Sequence, residues 1–229
     1  GLAGDALTEG NHNTGLGYGA LSNETLGDRN VAVGSNALYA QNNTSDVDAY
    51  NVAVGYNVGA AVTTGVKNTL IGGLAGSSLT SGGENVAIGY AALISEDANG
   101  KNVAIGKSAL TTQNAGADGY NVAVGYEAGK AITTGIKNTI VGGIAGDAIT
   151  TGLNNTLLGY NSGGALVGGS YNVALGYFAL ASEDAHGRNV AIGWRSLQNQ
   201  NAGADAYNVA IGYDSGLTMT TGVQNTLIG

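Results

Sequence analysis

The sequence contains no cysteine and no proline, and charged residues make up only 10% of its 229 residues. Without cysteine, a disulfide framework and a zinc-finger spacing are both excluded. Average usage would supply about 11 prolines. Their absence suits a backbone in which nearly every N–H joins a hydrogen-bond ladder, because proline cannot donate to one. Collagen is excluded as well, since the 41 glycines are not accompanied by the prolines that a triple helix requires.

Positive charge is also scarce. Eight Lys and Arg stand against 16 Asp and Glu, which gives a formal net charge of −8. Nucleic acids and anionic membranes bind clusters of Lys and Arg, and no apolar run approaches the 18 residues of a membrane-spanning helix. The sequence therefore predicts no nucleic-acid partner and no membrane insertion.

What the sequence does contain is a recurring phrase, Asn-x-x-x-Gly with apolar residues inside. Consecutive starts lie 17 residues apart in nine intervals, 19 in two and 21 in one. The starts are Asn13, Asn30, Asn51, Asn68, Asn85, Asn102, Asn121, Asn138, Asn155, Asn172, Asn189, Asn208 and Asn225. A fixed short period is the signature of a solenoid, in which each coil stacks on its neighbours. We therefore predict an all-β parallel solenoid of about thirteen coils of 17–21 residues, forming a single repeat domain over 1–229.

Counting Asn as position 1, positions 2 to 4 read as a short strand whose two faces are both apolar. Positions 2 and 4 carry Val, Ile, Leu or Thr, and position 3 carries mostly Ala, Leu or Ile. In a solenoid one coil thick, one strand face lies inside and the other would meet water, so we expect a sister chain to cover the position-3 face. The predicted trimer interface consists of Ala87, Ala104, Ala123, Leu70, Ile140 and Leu157.

Position 5 is Gly in all thirteen units, which predicts a positive φ or a close backbone approach in every coil. Position 9 divides the coils into two kinds. One kind carries Leu there, at Leu21, Leu38, Leu93, Leu110, Leu180 and Leu197. The other kind carries Gly and has a large apolar residue at position 12, namely Val62, Leu79, Ile132, Ile149, Leu166 or Met219. Each kind thus supplies one large side chain to the interior.

The column of position-1 asparagines predicts a structural ladder, because stacked amides stabilise β stacks by hydrogen bonds along the stacking direction. Its members are Asn30, Asn51, Asn68, Asn85, Asn102, Asn121, Asn138, Asn155, Asn172, Asn189 and Asn208. We expect this column to hold the coils together rather than to bind a ligand.

Aromatic residues occupy position 6 in eight of the twelve complete coils. An exposed aromatic stripe can stack on sugars, so Tyr90, Tyr126, Trp194 and Tyr213 are candidates for ligand contact. The structural alternative is that each ring packs on the coil and leaves its hydroxyl in water.

Three longer turns, 41–46, 113–118 and 200–205, carry insertions that must bulge outward, and they are further candidates for ligand contact.

The acidic pairs Glu96-Asp97 and Glu183-Asp184 could in principle serve glycoside hydrolysis. We expect them to be solvated in exposed turns, since no apolar pocket is evident that would raise either pKa. A calcium site at Asp118 or Asp205 is a weaker alternative, because no oxygen-rich loop has a known spacing. His12 and His186 lie in turns of different coils, which leaves no nucleophile, histidine and acid together. The sequence predicts no catalytic residue, cofactor or metal.

The Asn-Val-Ala-Ile-Gly phrases at 85–89, 102–106, 189–193 and 208–212 resemble the head repeats of YadA-like trimeric autotransporter adhesins and the related repeats of bacteriophage tail fibres. The resemblance covers essentially the whole chain. It implies a left-handed parallel β-roll with two short strands per coil, three chains side by side, and binding to host or cell surfaces. The coils are longer than those of the adhesin heads, and they start with Asn-Val or Asn-Thr where those heads usually have Asn-Ser. Both differences favour the virion fibres.

The expected function is therefore that of a non-enzymatic fibre segment, a homotrimeric shaft of a phage tail fibre or similar virion appendage that presents host-receptor or glycan-binding regions. The alternative is the head of a bacterial trimeric adhesin at the cell surface. A polysaccharide-degrading tailspike, a left-handed-helix acyltransferase and an ice-binding protein are the remaining candidates. The chain begins and ends within a repeat, which suggests a fragment of a longer fibre protein.

Overall fold

The computed structural model describes all residues 1–229 and contains thirteen strands and no helix. The predicted all-β parallel solenoid of about thirteen turns is confirmed. The strands, each three residues long, are β1 (Thr14–Leu16), β2 (Val31–Val33), β3 (Val52–Val54), β4 (Thr69–Ile71), β5 (Val86–Ile88), β6 (Val103–Ile105), β7 (Val122–Val124), β8 (Thr139–Val141), β9 (Thr156–Leu158), β10 (Val173–Leu175), β11 (Val190–Ile192), β12 (Val209–Ile211) and β13 (Thr226–Ile228). No segment forms a helix of the length and hydrophobicity that crossing a bilayer requires.

The chain divides into two compact units, residues 1–119 and 120–229. In the first unit β1 to β6 pair in parallel in chain order. In the second unit β7 to β13 do the same. Each repeat position pairs with the same position of the next coil, even across an insertion, as Val31 pairs with Val52 and Val190 with Val209. The insertions therefore leave the strand register unchanged.

The strand faces point opposite to the prediction. The side chains expected at a trimer interface, Ala87, Ala104, Ala123, Leu70, Ile140 and Leu157, are 0% exposed within the single chain. They face the interior of the coil, so the prediction that they meet a sister chain is wrong. The side chains at positions 2 and 4 point outward instead, as in β5, where Val86 and Ile88 are half-exposed on either side of buried Ala87.

Residue sizes explain this orientation. Position 3 is Leu or Ile in β4, β8 and β9, whose coils carry Gly at position 9. A Cβ added to Gly76 would approach Leu70 Cδ2 to 2.9 Å, and one added to Gly163 would approach Leu157 Cδ2 to 2.9 Å. Positions 3 and 9 thus share one interior space, and only one of them can be large in a given coil.

The second side of each coil differs from the two-stranded roll that the resemblance implied, because each coil contains one strand. Position 9 has a positive φ whether it is leucine or glycine, for example 52° at Leu93 and 51° at Gly146. Such a residue leaves the β region. The backbone ladder nevertheless continues there, since Leu93 N–H donates to Ala109 O and Gly146 N–H to Ser162 O, both at 3.0 Å.

Candidate functional site

The outer strand face, defined here as the position-2 and position-4 side chains of the strands in each unit, is mostly apolar, although position 2 is Thr in β1, β4, β8, β9 and β13. In β5, β6 and β7 both outward residues are half-exposed valine or isoleucine. Several others are more exposed, including Val54 at 37%, Ile71 at 38% and Leu158 at 49%. A sheet face in water normally carries polar side chains. A contiguous apolar face of this kind is characteristic of an interaction surface.

The asparagine column forms a ladder in each unit, with a geometry that sequence alone does not specify. In the first unit the Oδ1 of Asn68 accepts from the backbone N–H of Asn85 at 3.0 Å, and its Nδ2 donates to Gly82 O at 2.9 Å. In the second unit the Oδ1 of Asn138 accepts from the backbone N–H of Asn155 at 3.0 Å. Each amide therefore continues the backbone ladder, and these fully buried side chains are not accessible to a ligand.

Part of the aromatic column is stacked in the second unit. Tyr160, Tyr177, Trp194 and Tyr213 follow one another with ring centroids 5.5, 5.9 and 4.8 Å apart and interplanar angles of 17°, 11° and 10°. The ring faces cover one another, so this row presents mainly edges and hydroxyls to solvent. Of the predicted ligand-contact residues, Trp194 and Tyr213 belong to this row. Tyr90 and Tyr126 lie outside this row, and each is more than half exposed.

The insertions expose their central residues and are tied down by ion pairs. Gly116 and Gly203 lie in open space. Behind them Lys101 Nζ lies 2.5 Å from Asp118 Oδ2, and Arg188 Nε lies 2.8 Å from Asp205 Oδ2. These hydrogen bonds lower the pKa of both aspartates. Because each carboxylate is paired with a cation, the arrangement does not favour the calcium site considered from the sequence.

The acidic pairs are not solvated as expected, because Glu96 and Glu183 are 0% exposed while Asp97 and Asp184 are exposed. Each glutamate occupies position 12 of a coil with Leu at position 9. A column of buried polar residues at position 12 was not predicted from the sequence. In this column, each coil with glutamate at position 12 is followed by a coil with glutamine at position 12. The pairs are Glu24 and Gln41, Glu96 and Gln113, and Glu183 and Gln200, all 0% exposed. The signal in the sequence was that coils with Gly at position 9 carry a large apolar residue at position 12, whereas coils with Leu at position 9 carry Glu or Gln there.

Two of these buried glutamates differ in their surroundings. The Oε1 of Glu24 accepts the backbone N–H groups of Thr25, Leu26, Gly27 and Asn43 at 2.8–3.2 Å. Neither carboxylate oxygen of Glu96 has a hydrogen bond of normal geometry. Burial raises the pKa of Glu96 from 4.5 to about 7, and the charge of Asp97 adds to the rise. Glu96 is therefore protonated in the fold under mildly acidic conditions.

Replacing Glu96 with glutamine is expected to stabilise the protein at high pH. Because the folded pKa is about 7 and the unfolded value about 4.5, the contribution of Glu96 to stability is complete below pH 4.5 and declines as pH rises through 7. E96Q should match the unmodified chain near pH 4.5 and exceed it by about 2–3 kcal/mol at pH 8. Urea unfolding at both pH values measures the difference.

The matched control is E24Q, at the same coil position and with the same burial. Glutamine there cannot accept from Asn43 Nδ2, which donates to Glu24 Oε2 at 2.9 Å. It also lacks the charge that strengthens the other hydrogen bonds. E24Q should lose about 1–3 kcal/mol at pH 8. Equal effects of the two substitutions would contradict the assignment of Glu96 as an uncompensated buried acid.

The remaining surface features are a groove and one mixed side-chain cluster. The groove, in the first unit, has a volume of about 420 Å³ and is lined by Tyr18, Asn36, Tyr39, Asn57, Ala60, Leu74 and Ser77. It contains no acid, base or strong nucleophile. The cluster consists of Glu183, Asp184 and His186 in the second unit, whose donor atoms all lie within 4.8 Å of one another. It is the one group here with the composition of a metal site.

The fold and these surfaces define the class of protein as a parallel β-solenoid with an apolar outer strand face. No family model, no curated protein and no solved structure matches the chain.

Proposed function

We propose that the chain is a segment of a homotrimeric, non-enzymatic fibre, a shaft of a phage tail fibre or similar virion appendage that presents regions binding a host receptor or glycan. The left-handed sense of the coil is part of the same proposal. The observation that supports it is the outer strand face, because valine and isoleucine at positions 2 and 4 of β5, β6 and β7 remain partly exposed in a single chain.

In the proposed trimer the sister chains cover the outer strand face. This face, and not the position-3 side chains, forms the contact between chains. An apolar face of consecutive strands gains free energy when it is removed from water, at roughly 25 cal/mol per Å². The net charge of −8 per chain is expected to keep assembled fibres apart from one another.

The side chains of the acidic pairs support a non-enzymatic role. Glycoside hydrolysis needs two carboxyl groups that flank one substrate bond. In the fold Glu96 is buried and Asp97 is exposed, and Glu183 and Asp184 repeat this arrangement. The two carboxyl groups of each pair therefore do not share an accessible cleft.

The mass of the intact oligomer tests the assembly directly. Native mass spectrometry of the whole chain should give three copies. The double variant V173K/V190K places two ammonium groups on the outer strand face of β10 and β11 and should yield monomers. The control A117K/A204K adds the same charge to exposed insertion residues and should remain trimeric. A monomeric unmodified chain, or a trimer that tolerates V173K/V190K, would contradict the proposal.

The exposed insertions are the places where this segment itself would contact a receptor. Surface attachment that survives deletion of 113–118 and 200–205 would exclude that role and assign attachment to other parts of the fibre.

A further inference from the structure

Glu183, Asp184 and His186 belong to one turn of the second unit. Glu183 Oε1 lies 3.8 Å from His186 Nδ1, and the three donor atoms all lie within 4.8 Å of one another. One imidazole and two carboxylates form a ligand set suited to zinc and related divalent transition ions. The proximity alone would also fit a simple ion pair between histidine and glutamate.

The hydrogen bonding of Glu183 points beyond an ion pair. Glu183 is 0% exposed, and its Oε1 has no hydrogen-bond partner. Its Oε2 accepts a single long bond from the backbone N–H of Ala202 at 3.4 Å. His186 Nδ1 is also buried without a hydrogen-bond partner. An uncompensated buried carboxylate is costly, and burial accordingly raises the pKa of Glu183. With the imidazole proton on Nε2, Glu183 Oε1 and His186 Nδ1 are two unpartnered acceptors that face each other, which is the arrangement that a cation satisfies.

The other two copies of this turn show what is particular to it. At Glu24 both carboxylate oxygens have hydrogen-bond partners, because Oε1 accepts four backbone N–H groups and Oε2 accepts from Asn43 Nδ2. At Glu96 the sequence Ser-Glu-Asp-Ala of the turn is the same and the carboxylate is unpartnered, but Asn99 stands in the position of His186. The imidazole at 186 is the difference between two otherwise equivalent turns.

We propose that Glu183 Oε1, His186 Nδ1 and the carboxylate of Asp184 bind one zinc-class divalent ion, with water in the fourth position. Bonds of 2.0–2.2 Å to a tetrahedral ion place the donors about 3.4 Å apart. Glu183 and His186 need to approach by only about 0.4 Å from their separation of 3.8 Å. Asp184 is exposed, and its carboxylate is held by the neighbouring Ala185 N–H at 2.5 Å, so a side-chain rotation brings it to the ion.

Zinc stoichiometry tests the proposal in four chains without an affinity tag. Each is stripped with a chelator and titrated with ZnCl₂ at pH 7.5. The unmodified chain should bind one ion per chain. H186N, which installs the residue found at Asn99, should lose the site, with at least a tenfold weaker affinity. N99H rebuilds the same ligand set around Glu96 and should bind a second ion. H12N, which changes the other histidine, should behave like the unmodified chain.

Cobalt gives a second readout, which is spectroscopic. Binding of CoCl₂ through imidazole should produce visible d–d absorption in the unmodified chain, more of it in N99H and none in H186N. Circular dichroism without metal should be the same for all chains, since both residues occur naturally in this turn. Zinc binding that persists in H186N, a stoichiometry in N99H that stays at one, or no binding by the unmodified chain would each overturn the proposal and leave an ion pair. None of these results depends on the oligomeric state.

Discussion

Replacing Gly142 with alanine is expected to destabilise the protein by about 3–5 kcal/mol, as the combined cost of backbone strain and overpacking. Gly142 has a φ of 139°, which L side chains rarely adopt. A Cβ there would lie 2.4 Å from Gly159 O and 2.6 Å from Gly159 C, and neither backbone atom can move without disturbing the next coil. The midpoint and slope of urea unfolding measure the loss.

The neighbouring Gly143 supplies the control. A Cβ on Gly143 would meet Tyr160 Cδ2 at 3.5 Å, an ordinary van der Waals contact. G143A should therefore change the free energy of unfolding by less than about 0.5 kcal/mol. If G142A and G143A unfolded at the same urea concentration, the close approach of position-5 glycines would not be the constraint that the structure shows.

Replacing Asn138 with alanine is expected to cost about 3–5 kcal/mol, because the substitution leaves several buried groups unpaired. Asn138 Oδ1 accepts from the backbone N–H and the Nδ2 of Asn155 at 3.0 and 3.1 Å. Asn138 Nδ2 donates to Gly152 O at 2.9 Å. Thermal or urea unfolding measures the loss, and the exposed Asn201→Ala serves as the control, with an expected effect under about 0.5 kcal/mol.

N138D separates the donor from the acceptor function of the same side chain. An ionised aspartate keeps the acceptor for Asn155 but places an oxygen against Gly152 O. N138D should therefore be at least as destabilised as N138A at pH 7. At pH 4 a protonated carboxyl can donate to Gly152 O, so part of the stability should return. A variant N138D that is equally stable at both pH values and close to the unmodified chain would contradict a structural role for the ladder.

The period of the repeat predicted most of the fold. Because Asn and Gly recur at fixed positions, the location of the strands and the glycine backbone conformation followed from the sequence. All thirteen position-5 glycines have a positive φ. The in-register pairing also followed, since only the same position of the next coil offers a matching side chain.

The orientation of the strands could not be read in the same way. Alternation places positions 2 and 4 opposite position 3, but when both faces are apolar the alternation does not say which one is inside. The sequence nevertheless held a clue, because among the twelve complete coils leucine or isoleucine at position 3 occurs only where position 9 is Gly. That exclusion indicates a shared interior, and Gly76 with Leu70 shows it in the structure.

The candidate site depended still more on three-dimensional packing. Glu96 and Glu183 look like ordinary turn residues in the sequence, and only the folded coil shows that position 12 is buried there. Whether a buried carboxylate then finds donors, as at Glu24, or finds none, as at Glu96, depends on the path of the adjoining turn.

The sequence by itself determined the coil, its length, its stacking and its asparagine ladder, because each of these depends on local conformation repeated at a fixed interval. The tertiary structure alone decided which face of the strand is filled, which acids are buried, and that His186 faces Glu183. The physical reason is that these features depend on how volume and hydrogen-bond donors are shared between neighbouring coils, which no local pattern specifies.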